Sequence, residues 1–144
     1  MFDQKKLNKL IDKALSNYES LSKEERICYS IRVTLDSVNN GGLPSVYYNC
    51  AADNIYEIIE DFKIIEQYEI VKVIEEANKL FPNEKVPSSV EERNKIIDSW
   101  EYDDYSDELC NRADEIFYRA DEVFYQKEEI LENIYEKLMN DISF

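Results

Sequence analysis

Residues 113–119 read Ala-Asp-Glu-Ile-Phe-Tyr-Arg, and residues 120–126 follow at once with Ala-Asp-Glu-Val-Phe-Tyr-Gln. One seven-residue unit is written twice, and its period extends over the stretch from Ser106 to Met139. Apolar residues stand at Cys110, Phe117, Phe124, Leu131 and Leu138, every seventh position. A second row holds Ala113, Ala120 and Ile134, and a third holds Leu109, Ile116, Val123 and Ile130. A helix keeps rows of that spacing on one side, whereas a strand alternates its side chains between two faces. The acids share the period: Asp107 and Glu108, Asp114 and Glu115, Asp121 and Glu122, Glu128 and Glu129, then Glu136. The pattern predicts one long C-terminal helix with an apolar stripe and, around from it, an acidic ladder.

The charge supports a distinct role for this segment. The chain's net charge is −15, from 32 acids against 17 bases in 144 residues. Residues 101–144 hold 14 of those acids and 4 of the bases. Under a third of the chain therefore carries two-thirds of the excess. Such a surface repels nucleic acid and anionic lipid and attracts basic partners. An apolar fraction of 44% is ordinary for a folded protein, so charge does not imply disorder. Direct nucleic-acid binding and membrane association are not expected. No apolar run reaches the roughly 18 residues of a membrane span, and the first residues do not form a secretory signal. Cys28, Cys50 and Cys110 are an odd, widely spaced set, which fits free thiols in a reducing cytoplasm.

The remaining sequence reads as helices as well. Leu7, Leu10, Ile11, Ala14, Leu15 and Tyr18 give residues 3–18 one apolar face. Ser22 and Glu25 form a capping box that opens a second helix, ending near Val38. Gly41 and Gly42, the chain's two glycines, stop it. Both together imply either a backbone geometry closed to side chains or a close approach by a neighbouring element. Pro44 suits the first turn of a short helix with Val46, Tyr47 and Tyr48 in the core. Asp53 is placed to cap a helix over Ile55–Ile65. A break at Glu66-Gln67 precedes another helix over Ile70–Leu80. Pro82 and Pro87 bound a loop. Ser89 and Glu92 suggest a second capping box before Ile96, Ile97 and Trp100. The expected fold is all-α, with about seven helices in a single domain spanning residues 1–144.

Several chemistries fall away. The chain has no histidine, which removes Ser-His-Asp and Cys-His catalysis and histidine-ligated metals. Asp103, Asp104, Asp107 and Glu108 make a hard-oxygen cluster but lack the glycine and spacing of a calcium loop. Paired carboxylates suit acid–base work, yet here they repeat along a helix face with none singled out. No enzyme activity, cofactor or metal is expected.

The stretch Asn39-Asn40-Gly41-Gly42-Leu43-Pro44-Ser45-Val46-Tyr47-Tyr48-Asn49 resembles the signature of a bacterial family, the DNA-mimic-protein C-terminal-domain-like one. Its pattern is an asparagine, paired glycines, an aromatic, a glutamine, further aromatics and an asparagine. Leu43 stands for the first aromatic and Ser45 for the glutamine. Ala77, Leu80-Phe81-Pro82, Val86-Pro87 and Arg93 match later family positions, and Ala120–Tyr125 is similar to its closing Asp-x-x-aromatic-Tyr segment. The likeness covers residues from about 25 to 140. It implies a helical protein, and the family's named founder is described as an acidic dimer that imitates DNA and occupies a transcription regulator. On that reading the signature residues Asn40, Gly41, Gly42, Tyr47, Tyr48, Asn49, Phe81 and Pro82 are structural.

The expected function is therefore an acidic binding protein that occupies the basic surface of a DNA-binding protein or transcription regulator. The partner-binding face would be Asp103, Asp104, Asp107, Glu108, Asp114, Glu115, Asp121, Glu122, Glu128, Glu129 and Glu136. Neighbouring acids such as Glu57, Glu60, Asp61, Glu91 and Glu92 would supplement it, because one helix is too sparsely charged to copy a duplex. DNA carries one charge per about 1.7 Å of axis, while acid pairs seven residues apart on a helix recur every ~10.5 Å. Two alternatives stay open: an immunity or antitoxin-type protein against a toxin such as a nuclease, or an interaction domain whose charge serves only solubility. A homodimer is a further option, since long heptad stripes often pair.

Overall fold

Ser22 starts the helix that the rest of the chain packs around. Its hydroxyl accepts from the Glu25 N–H, and its own N–H donates to the Glu25 carboxylate, completing the capping box. The computed structural model describes residues 3–102 and 107–144, with side chains outside the description also at 101, 102, 107 and 108. Within it, seven α-helices follow in order: α1 (Gln4–Ser16), α2 (Lys23–Gly41), α3 (Pro44–Tyr48), α4 (Ile55–Ile64), α5 (Tyr68–Asn78), α6 (Val90–Tyr102) and α7 (Asp107–Asp141). Short 3-10 turns at Tyr18–Ser20, Cys50–Asn54 and Pro82–Glu84 connect them. No strand occurs among the described residues, and none of their helices is long and apolar enough to cross a membrane.

The heptad segment forms one continuous helix. Its 35 residues span about 52 Å. It lies along α2 on one side and α5 on the other. Ala113, Phe117, Ala120, Phe124 and Leu131 are buried in the common core, so this chain's own helices cover the apolar rows. Ile130 is the exception in the third row and is exposed. An aromatic series crosses the core from α3 to α7: Tyr47 to Phe81 at 5.2 Å, Phe81 to Trp100 at 5.2 Å, and Trp100 to Phe117 at 6.1 Å between ring centroids.

The structure corrects several local expectations. Leu15 points to solvent, because α1 ends one residue later and only Leu7, Leu10 and Ala14 of its apolar face are buried. Tyr48 is exposed, its hydroxyl donating to Asp98, while Val46 and Tyr47 take the core positions. Asp53 does not cap α4. It lies in the 3-10 turn just before the N-cap position, which Asn54 takes, and pairs with Arg93 at 2.7 Å. Of the second capping box, Ser89 Oγ accepts from the Glu92 N–H at 3.4 Å. Asp61 is not a surface acid: it is buried, accepting from Ser30 Oγ at 2.6 Å and pairing with Arg26 at 2.8 Å.

Candidate functional site

The acidic ladder of α7 divides into two rows. Glu115, Glu122 and Glu129 face solvent. Asp114, Asp121 and Glu128 stand one residue earlier, about 100° around the helix, and so turn toward the shoulder where α2 and α3 meet α7. On that shoulder, Asp121 Oδ1 accepts from the Leu43 N–H at 2.8 Å, and Glu128 accepts from Asn39 Nδ2 at 3.0 Å. Asp114 is exposed beside an apolar cleft of about 290 Å³ formed with Pro44, Trp100, Cys110 and Phe117. Glu136 is half-buried. Asp103 and Asp104, and the side chains of Asp107 and Glu108, lie outside the described residues.

The neighbouring helices treat the two rows differently. On the α5 side, Arg119 pairs with Glu76 at 3.4 Å and Lys127 with Glu69 at 3.9 Å. On the α2 side, the buried Arg32 forks onto Glu132 at 2.6 and 3.0 Å and lies 4.9 Å over the Tyr135 ring. Both cations between residues 115 and 129 are thus drawn off toward α5. Glu115, Glu122 and Glu129 make no ion pair among the described residues. Of the proposed supplementary acids, Glu57, Glu60, Glu91 and Glu92 are exposed, with Glu60 paired to Lys63.

The signature residues occupy the junction behind this face. Gly42 adopts φ 79° and ψ 179°, a conformation that side chains scarcely enter, and a Cβ there would meet Asp121 Oδ2 at 2.8 Å. A Cβ on Gly41 would meet Ser45 Oγ at 2.3 Å. Both readings of the glycine pair therefore hold at Gly42. Tyr47 Oη donates to Asn78 Oδ1 at 2.6 Å. Asn49 Nδ2 donates to the Ser45 carbonyl and to Ser37, and its Oδ1 accepts from the Ala51 N–H. Asn40 is exposed on the last turn of α2. Phe81 is buried in an extended conformation, as the following Pro82 requires. Arg93 is fully buried and donates to the carbonyls of Tyr47, Pro87 and Asn49 as well as to Asp53.

A family model described as DMP19-like protein matches residues 19–141. The chain belongs to this family. The DMP19-like region runs from within the turn at Tyr18–Ser20 to the end of α7, slightly more than the expected residues of about 25 to 140, and leaves α1 before it. No curated protein and no solved structure matches the chain. In this DMP19-like fold, Asp121 joins the two halves of the site: one carboxylate oxygen holds α3, and the residue belongs to the helix that carries the outer acids.

Asp121 also gives a prediction. Burial raises its carboxyl above the usual aspartate range, against the pull of the Leu43 N–H. A raised folded value means that the folded state holds its proton to higher pH, so stability from this group is lost as pH rises through that value. Asp121→Asn keeps an oxygen for Leu43 and removes the charge. Its stability relative to the parent should rise from acid to neutral pH. Asp121→Ala leaves the buried Leu43 N–H without a partner and should cost about 1–3 kcal/mol. Urea denaturation of the three proteins across pH checks both.

Proposed function

We propose that this protein is a non-catalytic, cytoplasmic DNA mimic that occupies the basic surface of a DNA-binding protein. The observation that carries the reading is the outer row of α7. Glu115, Glu122 and Glu129 recur every ~10.5 Å along one unbroken helix and lack ion-pair partners among the described residues. Glu132 on the same helix, by contrast, is tied to Arg32. Membership of the DMP19-like family supports the same reading. The core packs along the inner side of this helix, so the carboxylates meet a partner already arrayed and lose little freedom on binding.

The test is capture from extract of the source cell on immobilised protein, with elution by salt and identification by mass. The expected catch is a basic DNA-binding protein whose affinity falls on the order of tenfold from low to physiological salt. The triple variant Glu115→Gln, Glu122→Gln, Glu129→Gln should fail to retain it while melting like the parent. Retention indifferent to salt and to the triple change would refute mimicry. Recovery of a toxin instead would favour the immunity reading.

A further inference from the structure

The outer face of α7 carries more than acids. Tyr118 is 67% exposed and Tyr125 is 82% exposed, the two largest exposures among the bulky apolar side chains of the described residues. With the glutamates they form one stripe, Glu115, Tyr118, Glu122, Tyr125 and Glu129, at alternating steps of three and four residues. Such steps keep side chains on one side of a helix. Each tyrosine ring therefore lies between two carboxylates. The neighbouring Glu122 carboxylate pushes the Tyr118 phenol above its ordinary range. Tyr118 edges the cleft beside Trp100 and Phe117, but both rings are mostly exposed, so core packing alone does not account for them.

We infer that this stripe docks an α-helix bearing arginines at every seventh position, and selects arginine over lysine. The inference rests on the mimicry reading and specifies its partner's chemistry. A guanidinium is planar and weakly hydrated. It can stack on a tyrosine face while its edge N–H groups reach the flanking carboxylates. An ammonium can satisfy the carboxylates but gains little from the ring. The spacing favours a helix as the occupant. Tyr118 and Tyr125 are about 10.5 Å apart along the axis, the advance of seven residues on a partner helix, whereas same-face side chains on a strand recur every ~6.6 Å. A second copy of this chain is a poor occupant, because it would set like-charged glutamates against each other. Helices that enter the major groove of DNA are partners of this general type.

The probes are labelled alanine-rich helical peptides with arginine, or lysine, at every seventh position, titrated by fluorescence anisotropy against the full chain at low salt. The arginine peptide should bind about five- to thirtyfold tighter than the lysine peptide. Tyr118→Leu with Tyr125→Leu should abolish that margin and leave lysine-peptide affinity unchanged. The positions are exposed, so circular dichroism should report an unaltered melt. Equal affinity for both peptides, or a margin that survives loss of the tyrosines, overturns the inference while leaving the charge reading intact. Failure of both peptides to bind overturns it too, and salt elution of the captured partner then judges the charge reading separately.

Discussion

Arg93→Ala should destabilise the protein by about 3–5 kcal/mol, the range seen when one member of a buried charged network is removed. Its guanidinium is fully buried and donates to three carbonyls, those of Tyr47, Asn49 and Pro87, and to Asp53 at 2.7 Å. Deletion leaves those carbonyls without this donor inside the junction of α3 and α6. Asp53 contributes less to the loss, since its side chain is 42% exposed and water can take over its solvation. Arg93→Lys should recover only part, because one ammonium cannot span the directions that the planar fork reaches. Urea denaturation measures the change, and a loss under about 1 kcal/mol would contradict the role given to Arg93. Affinity of the still-folded fraction for a basic partner should not change, because Arg93 lies behind the outer face of α7.

The contrast between α7 and Arg93 shows which features a sequence exposes. A seven-residue period is a property of the helix itself, so residues 107–141 were readable without knowledge of any neighbour. The Ser22–Glu25 box was readable for the same reason, since both partners lie within one turn. Arg93 bonds backbone carbonyls more than 40 residues away in the case of Tyr47 and Asn49, and a carbonyl carries no sequence signature. One local clue was present: Arg93 stands three, four and seven residues before Ile96, Ile97 and Trp100, on the apolar side of α6. Asp61 offered a similar clue, with Ile58 three residues before it and Ile65 four after. Its charge nevertheless reads as a surface one from the sequence alone. Asp121 was the hardest to assign. In its heptad it is indistinguishable from Asp114, and the Leu43 N–H that distinguishes it lies 78 residues away. The outer row of Glu115, Glu122 and Glu129 was legible as acidic. Its freedom from cations was not, because that depends on Glu76 and Glu69 of α5 drawing off Arg119 and Lys127.

Gly42→Ala should cost about 1–3 kcal/mol from backbone strain alone, because φ 79° with ψ 179° is open in practice only to glycine. The side chain adds a second penalty. Its Cβ would lie 2.8 Å from Asp121 Oδ2 and 3.3 Å from the Asp121 carboxyl carbon, so the carboxylate must withdraw and release the Leu43 N–H. The two penalties can be separated. In Gly42→Ala combined with Asp121→Ala, the carboxylate that the new methyl would strike is already gone and the Leu43 bond already lost. The double variant should then be more stable than the sum of the single losses predicts, by about 1 kcal/mol or more, whereas strain at Gly42 remains in full. Strict additivity would mean that the glycine is required by its backbone conformation alone. A positive coupling would mean that the glycine pair is also there to let α7 approach. The acidic helix would then be held at its working position by the closeness of one carboxylate to a residue with no side chain.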